Sequence, residues 1–330
     1  MNKNNIALAI HGGAGTILRS EMSAELEAEY RKGLQNALRK GWEILSKNGS
    51  ALDAVETATV ELENFPLFNA GKGAVFTHDG KNEMDASIMD GAKLKAGAVA
   101  LVKNVKNPVK LARLVMEKTA HILLAGDGAN EFAGQMKVEF EPDDYFFTDF
   151  RYQQFLKAKR ENIVGLDHST VETKLIEKEI QSEIKMPDEK KFGTVGAVAC
   201  DFSGNLAAAT STGGMTNKKF GRVGDTPLIG AGTYADKICA VSGTGHGEFF
   251  MLNVMAYDVA ARMKYKNLNL ADAAQESINY LTEIGGEGGL IAVDANGNIA
   301  MPFNSEGMYR GFITTDGDLI VEIYKEEDRR

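Results

Sequence analysis

The spacing of apolar positions changes several times along the chain, and each change marks an element. Ile6, Ala7, Leu8, Ala9 and Ile10 form an unbroken apolar run that predicts a buried strand, ending at His11-Gly12-Gly13-Ala14-Gly15. Leu26, Tyr30, Leu34, Ala37, Leu38, Gly41 and Leu45 then recur at helical spacing and predict a long amphipathic helix over about 23–47. Ser50-Ala51-Leu52-Asp53 carries an N-cap signature for a second helix to about Glu63, which Pro66 stops. Runs at 74–77, 83–88 and 96–102 predict strands. Asn107-Pro108, an N-cap followed by a first-turn proline, opens a helix to about Lys118, and Ile122-Leu123-Leu124 reads as a short strand.

From about 157 to 192 charge becomes dense and apolar residues thin out, which predicts an exposed, mobile segment. Two strand–turn–strand units lie beyond it. One runs 194–200, turns at Asp201-Phe202-Ser203-Gly204-Asn205 and returns through 206–211. The other runs 289–293, turns at Asp294-Ala295-Asn296-Gly297-Asn298 and returns through 299–303. Helices at about 247–263 and 270–284 separate them. Strands in both halves, each with a helix pair, imply helices covering the outside of stacked sheets.

Composition narrows the class of protein. The chain has 330 residues, 44% apolar, enough for a sizeable core, and its 35 Gly against 6 Pro argue for close backbone approaches over flexible linkers. The net charge of −9, with no basic cluster interleaved with aromatics, argues against a nucleic-acid partner. Only two cysteines occur, Cys200 and Cys239, both in apolar runs, so no disulfide framework is implied. No apolar run reaches the roughly 18 residues of a membrane span, and the first residues lack a signal-peptide pattern. The expectation is a cytoplasmic protein without a membrane partner.

The chemistry concentrates around Gly193-Thr194-Val195-Gly196, followed by Thr210-Ser211-Thr212-Gly213-Gly214 and Gly221-Arg222-Val223-Gly224-Asp225. An internal Thr has no base for its hydroxyl proton. If the Gly193–Thr194 bond is cut, the new α-amino group becomes that base, titrating near pH 8. Arg222 and Asp225, three apart, read alone as a surface ion pair. A substrate carrying both an α-carboxylate and an α-amino group needs such a pair, because the Arg fork bonds a carboxylate twice. Gly243-Thr244-Gly245-His246-Gly247 opens a helix and offers N–H groups to an oxyanion. It lacks the lysine of a phosphate-binding loop. His11-Gly12-Gly13-Ala14 resembles an esterase oxyanion loop, but no Gly-x-Ser-x-Gly turn exists, so a Gly-rich turn packed under a neighbouring loop is the better reading. The five His, at 11, 78, 121, 168 and 246, show no metal-ligand spacing. The turn-rich loop Phe65 to Gly73 exposes carbonyls suited to a monovalent cation.

Together these segments closely resemble the plant-type (Ntn-hydrolase) L-asparaginase/isoaspartyl aminopeptidase family. The matching pieces are Ile10 to Gly15, Pro66 to Gly71, Met89-Asp90-Gly91 with Lys95 to Ala100, and Asn107-Pro108. After the Thr194 segment come Thr210 to Thr216, Gly221 to Asp225, Gly230 to Asp236, Gly243 to Glu248 and Gly288-Gly289-Leu290-Ile291. They stand in family order across about residues 6–310; the charged segment before Thr194 has no recognisable family content.

The resemblance implies an α+β fold, the four-layer αββα sandwich of the Ntn-hydrolase type, as a single domain over 1–330. It implies self-cleavage between Gly193 and Thr194 into an α-subunit (1–193) and a β-subunit (194–330). Thr194 would be the nucleophile, with Thr212 supporting its hydroxyl. Thr244 and Gly245 match the oxyanion hole, Arg222 the α-carboxylate anchor, and Asp225 with the Gly247 carbonyl the α-amino anchor. Asn69 matches an Asn near the active site, and the backbone of Leu62, Glu63, Phe65, Phe68, Ala70 and Lys72 a structural sodium loop. His246, between two matched glycines, has no assigned role. No cofactor is implied for the chemistry. The substrate would be asparagine or a β-aspartyl dipeptide, and the mature unit a dimer of αβ pairs. Glycosylasparaginases share the Thr chemistry, but the Leu67-Phe68-Asn69-Ala70-Gly71 loop resembles the asparaginase branch more. Threonine aspartases are a further relative, and an inactive family member serving interaction or storage is the reading from another class.

Overall fold

A computed structural model describes residues 5–161 and 193–325 of the protein. The N-terminal apolar run forms β1 (Ala7–Gly15), which continues into the glycine-rich stretch through a bulge between His11 and Gly13. Helices α1 (Ala24–Leu45) and α2 (Ala51–Glu63) follow, capped by the hydroxyls of Ser23 and Ser50, which accept from the Leu26 and Asp53 N–H groups. Next come β2 (Met84–Asp90), β3 (Lys95–Val102), α3 (Pro108–Lys118), β4 (Leu123–Ala125), α4 (Gly126–Gln135), α5 (Asp143–Phe146) and α6 (Asp149–Arg160). After residue 193 come β5 (Val195–Cys200), β6 (Leu206–Thr212), β7 (Thr233–Ala235), β8 (Cys239–Gly245), α7 (Gly247–Asn253), α8 (Met255–Lys266) and α9 (Leu270–Glu283). The described chain closes with β9 (Gly288–Asp294), β10 (Ile299–Ala300), β11 (Gly307–Thr314) and β12 (Leu319–Tyr324).

The strands form two sheets, ordered β12-β11-β1-β5-β6-β2-β3-β4 and β10-β9-β8-β7. Side-chain alternation along the strands separates three cores. On β1, Leu8 and Ile10 join Leu34, Leu38 and Val55 of α1 and α2, while Ala7 and Ala9 join Ile291 and Val293 of the smaller sheet. On β5, Ala197 and Ala199 face the helices, and Val198 and Cys200 face the smaller sheet. On β8 and β9, Cys239, Val241, Leu290 and Ala292 pack against Phe250, Val259, Ile278 and Leu281 of α7, α8 and α9. The residues between the sheets are mostly small, Ala7, Ala9, Ala208, Ala235 and Ala240 among them, which lets the sheets approach closely.

Several expectations change. Residues 74–77 pair with no strand: the Asn69 and Asn82 side chains and the Asn217 N–H satisfy their backbone instead. Asn107 precedes α3 but does not cap it; its amide bonds Asn64, and the Glu63 carboxylate accepts the Val109 N–H at 3.0 Å. The helix expected over 247–263 breaks at Val254, which is left-handed with φ 49°. The return expected over 299–303 pairs as a strand only at Ile299–Ala300. Residues 157–160 belong to α6, and 162–192 of the segment expected to be mobile lie outside the described residues. Both cysteines are free and buried. Among the described residues no helix is long and apolar enough to cross a membrane.

Candidate active site

Pairing between β5 and β6 aligns Val195 with Ser211, so Thr194 and Thr212 fall on the next rung. The Thr194 hydroxyl donates to Thr212 Oγ1 at 3.3 Å, and Thr212 Oγ1 also accepts the Gly214 N–H at 3.0 Å. Both threonines are buried. Gly193 lies against Gly13, whose φ of +119° only glycine holds comfortably; a Cβ there would come within 2.8 Å of the Gly193 nitrogen. The His11 to Gly15 stretch, expected as a Gly-rich turn, is instead the bulged end of β1, paired with β11 as far as Gly15, and its Gly13 lies against Gly193.

Gly193, Thr194, Thr212, Arg222, Asp225 and Gly245 line one cavity. Gly247 brings the two charges together: a Cβ on it would lie 2.8 Å from both Arg222 Nη2 and Asp225 Oδ1. Asp225 is fully buried, and its Oδ2 has no hydrogen-bond partner among the described residues. Desolvation pushes its pKa up to about 7 against the opposing pull of Arg222.

Three predicted residues, Gly247, Asn69 and Thr244, are not among those that line the cavity. Asn69 is buried; its amide donates to the Gly214 carbonyl at 2.8 Å and its Oδ1 accepts the Val75 N–H, so it braces the turn after Thr212. The Thr244 hydroxyl is turned away and accepts the Ala14 N–H at 3.3 Å. Leu62, Glu63, Phe65, Phe68, Ala70 and Lys72 follow one tight loop. It coils so closely that a Cβ on Gly71 or Gly73 would overlap the Glu63 or Phe68 carbonyl oxygen, and Arg151 clamps it through the carbonyls of Gly73 and Leu67 at 3.0 and 3.2 Å. Among the described residues no group of three or more His, Cys, Asp and Glu is placed to hold a metal ion.

Comparison with known proteins gives the family. The asparaginase family model matches residues 4–322. The chain belongs to the asparaginase family. An isoaspartyl peptidase of Salmonella typhimurium is 50% identical over 98% of this chain and 100% of its own length. One of Escherichia coli is 48% identical, covering 97% and 96%, and an isoaspartyl peptidase/L-asparaginase of Xenopus laevis is 41% identical over the same shares. Membership of the asparaginase family makes the chain a hydrolase.

Four further polar residues of this asparaginase-family chain, Glu248, His246, His11 and Glu63, make contacts near the cavity that the sequence reading did not assign. Glu248 holds Arg222 with two hydrogen bonds, and its Oε2 lies 3.7 Å from His246 Nε2. His246 also packs edge-on against Phe249, and burial lowers its pKa to about 4. His11 donates from Nδ1 to the Thr194 carbonyl at 2.9 Å. Glu63 Oε1 accepts the Ser211 hydroxyl at 2.7 Å, one residue from Thr212. Glu248 had a local signal, an acid opening a helix; the His11–Thr194 and Glu63–Ser211 contacts span 183 and 148 positions.

Proposed function

We propose that the protein hydrolyses the β-aspartyl bond of isoaspartyl dipeptides and of L-asparagine, through an N-terminal threonine exposed by its own cleavage between Gly193 and Thr194. The observation that carries the reading is that Arg222 and a buried Asp225, whose Oδ2 has no hydrogen-bond partner among the described residues, line the cavity that also holds Thr194. One cation and one anion in one cavity match the carboxylate and ammonium of a single α-carbon. The leaving group is not gripped, so ammonia and an amino acid serve alike.

In this reading the Thr194 hydroxyl adds to the β-carbonyl while its α-amine takes the proton. The amine returns that proton to the departing nitrogen, leaving an aspartyl ester on Thr194. Water, deprotonated by the same amine, cleaves the ester and restores the hydroxyl. Thr212 steadies Oγ1, and N–H groups around Thr244 and Gly245 face the developing oxyanion.

The same proposal extends to the architecture. The three cores support a four-layer αββα sandwich of the Ntn-hydrolase type, formed by one domain that matures into 1–193 and 194–330 and assembles as a dimer of αβ pairs. The free buried cysteines suit a cytoplasmic enzyme. The coiled carbonyls of Leu62, Glu63, Phe65, Phe68, Ala70 and Lys72 fit a sodium ion, since neutral oxygens packed onto glycines suit a monovalent cation; it would hold the loop that carries Asn69. No cofactor takes part in the chemistry.

A denaturing intact mass of fresh and aged protein, with an assay on β-aspartyl-leucine, tests the reading. Two species dividing at Gly193/Thr194, together with turnover that Thr194→Ala abolishes, are expected. Turnover by an uncut chain, or by the Ala variant, would overturn it.

A further inference from the structure

His11 is fully buried, yet both of its ring nitrogens are engaged: Nδ1 with the Thr194 carbonyl at 2.9 Å, Nε2 with Ser242 Oγ at 2.8 Å. Beyond Ser242 a file of hydroxyls continues between the two sheets. Ser242 Oγ lies 2.7 Å from Thr210 Oγ1, Thr210 bonds Thr233, and Thr233 Oγ1 lies 2.7 Å from Ser87 Oγ. The file ends at Ser87, 2.6 Å from the carbonyl of Thr226, the neighbour of Asp225. Every member of the file is buried. Gly196 makes room for its first link, since a Cβ there would overlap Ser242 Oγ and come within 2.5 Å of His11 Nε2.

Proton accounting gives this file one direction. A carbonyl only accepts, so His11 Nδ1 carries a proton toward Thr194. A neutral ring then has a bare Nε2, which must accept from Ser242; Ser242 Oγ, at 2.7 Å, is the nearer acceptor for the Thr210 hydroxyl than the Gly232 carbonyl at 3.3 Å, and Thr210 accepts from Thr233. The last proton, on Ser87, serves Thr233 or the Thr226 carbonyl. Desolvation holds the His11 ring neutral, with its pKa lowered to about 3.

We propose that His11 is a positioning residue for Thr194: as the neutral Nδ1–H tautomer it holds the Thr194 carbonyl, and the file Ser242–Thr210–Thr233–Ser87 fixes that tautomer and ties the nucleophile to the loop carrying Asp225. Holding the carbonyl sets ψ of Thr194, and with it the direction in which the α-amine and Oγ1 leave Cα. Displacement of a reacting group by about 1 Å costs on the order of a hundredfold in rate, so a loosened carbonyl registers in kcat. This rests on the proposed role of Thr194, and the test below separates the two.

The first arm is the nitrogen-15 spectrum of histidine-labelled protein between pH 5 and 8, with His11 assigned by its loss in His11→Phe or, if that variant does not fold, by the resonance that moves in Ser242→Ala. We expect a non-titrating ring protonated at Nδ1 alone; a charged ring, or one protonated at Nε2, overturns the proposal. The second arm is kinetics on a β-aspartyl dipeptide. Ser242→Ala and Thr210→Val are expected to lower kcat about tenfold with KM within twofold, and Thr210→Ser to match wild type. Unchanged kcat in Ser242→Ala, or a Thr210→Ser variant as slow as Thr210→Val, overturns the proposal. The tautomer is read without turnover, so an inert wild type with the expected tautomer would defeat the proposed reaction and leave the hydrogen-bond assignment standing.

Discussion

Glu248 grips Arg222 with two parallel hydrogen bonds, Nε to Oε1 and Nη2 to Oε2, both 3.0 Å long. This is the fork geometry that a substrate α-carboxylate needs from the same guanidinium. The Glu248 side chain is 43% exposed, so its pairing with Arg222 is worth at most about 1 kcal/mol, well short of what a buried substrate carboxylate gains. Glu248 is thus a weak internal competitor for the fork that a substrate carboxylate would use.

Removing that competitor should favour substrate. Glu248→Ala is expected to lower KM for β-aspartyl dipeptides by up to about fivefold, the equivalent of about 1 kcal/mol, with kcat near wild type. Steady-state kinetics at fixed ionic strength measure it. A raised KM would show instead that Glu248 orients Arg222 for the substrate.

Asp225 makes substrate capture depend on pH. Burial raises its pKa to about 7, so in the free protein it takes a proton as pH falls below that value and loses its hold on an ammonium. The α-amine of Thr194, ordinarily titrating near 8, must also be unprotonated to act as base. Below pH 7 the slope of log kcat/KM against pH should therefore approach two. In log kcat it should be one, because bound ammonium keeps Asp225 charged. Asp225→Asn should reduce the first slope to one. Equal slopes in wild type would remove Asp225 from the binding of the free substrate.

Local rules made much of this fold legible. The serine cap of α2, the 3.6 period of α1 and the Asp-to-Asn turns at 201–205 and 294–298 are short-range signals, and the structure follows them. The strand expected at 74–77 failed because asparagine side chains at 69 and 82 replace the ladder, which no periodicity reveals. β11 and β12 went unread: β11 pairs with β1 across the whole chain, and β12 is an edge strand on β11. At the site, Thr194, Arg222, Asp225 and His11 stand within short glycine-punctuated motifs, but the contacts of His11 with Thr194 and of Glu63 with Ser211 span 183 and 148 positions.

Glu63 couples stability to pH. It is fully buried, and desolvation raises its pKa to about 7 from 4.5 despite the hydrogen bonds from Ser211 and Val109. The folded state therefore binds more protons than the unfolded chain between pH 4.5 and 7, and this group's stabilisation is lost as pH rises through about 7. Glu63→Gln keeps an acceptor for both donors and never ionises. Urea titrations should find it more stable than wild type at pH 8, by up to about 3 kcal/mol, and no more stable at pH 5. A gain of equal size at both values would assign it to packing.

The backbone of Gly193 rests on Gly13, and this contact sets the geometry of the proposed cleavage. Alanine at position 13 meets two penalties. Its φ of +119° is strained for any side chain, at roughly 1–3 kcal/mol, and its methyl would lie 2.8–3.2 Å from the Gly193 nitrogen, oxygen and carbonyl carbon. The methyl pushes the Gly193 carbonyl, the atom group that Thr194 Oγ1 must attack, and a shift of even a fraction of an ångström lengthens that approach. Gly13→Ala is therefore expected to fold with somewhat lower stability and to cleave at least about tenfold more slowly, followed as the appearance of two chains on denaturing gels over days. Because Gly13 touches neither Arg222 nor Asp225 in this geometry, the fraction that does cleave should keep a wild-type KM. Cleavage at the wild-type rate would mean that the Gly13 contact does not govern the position of the scissile carbonyl.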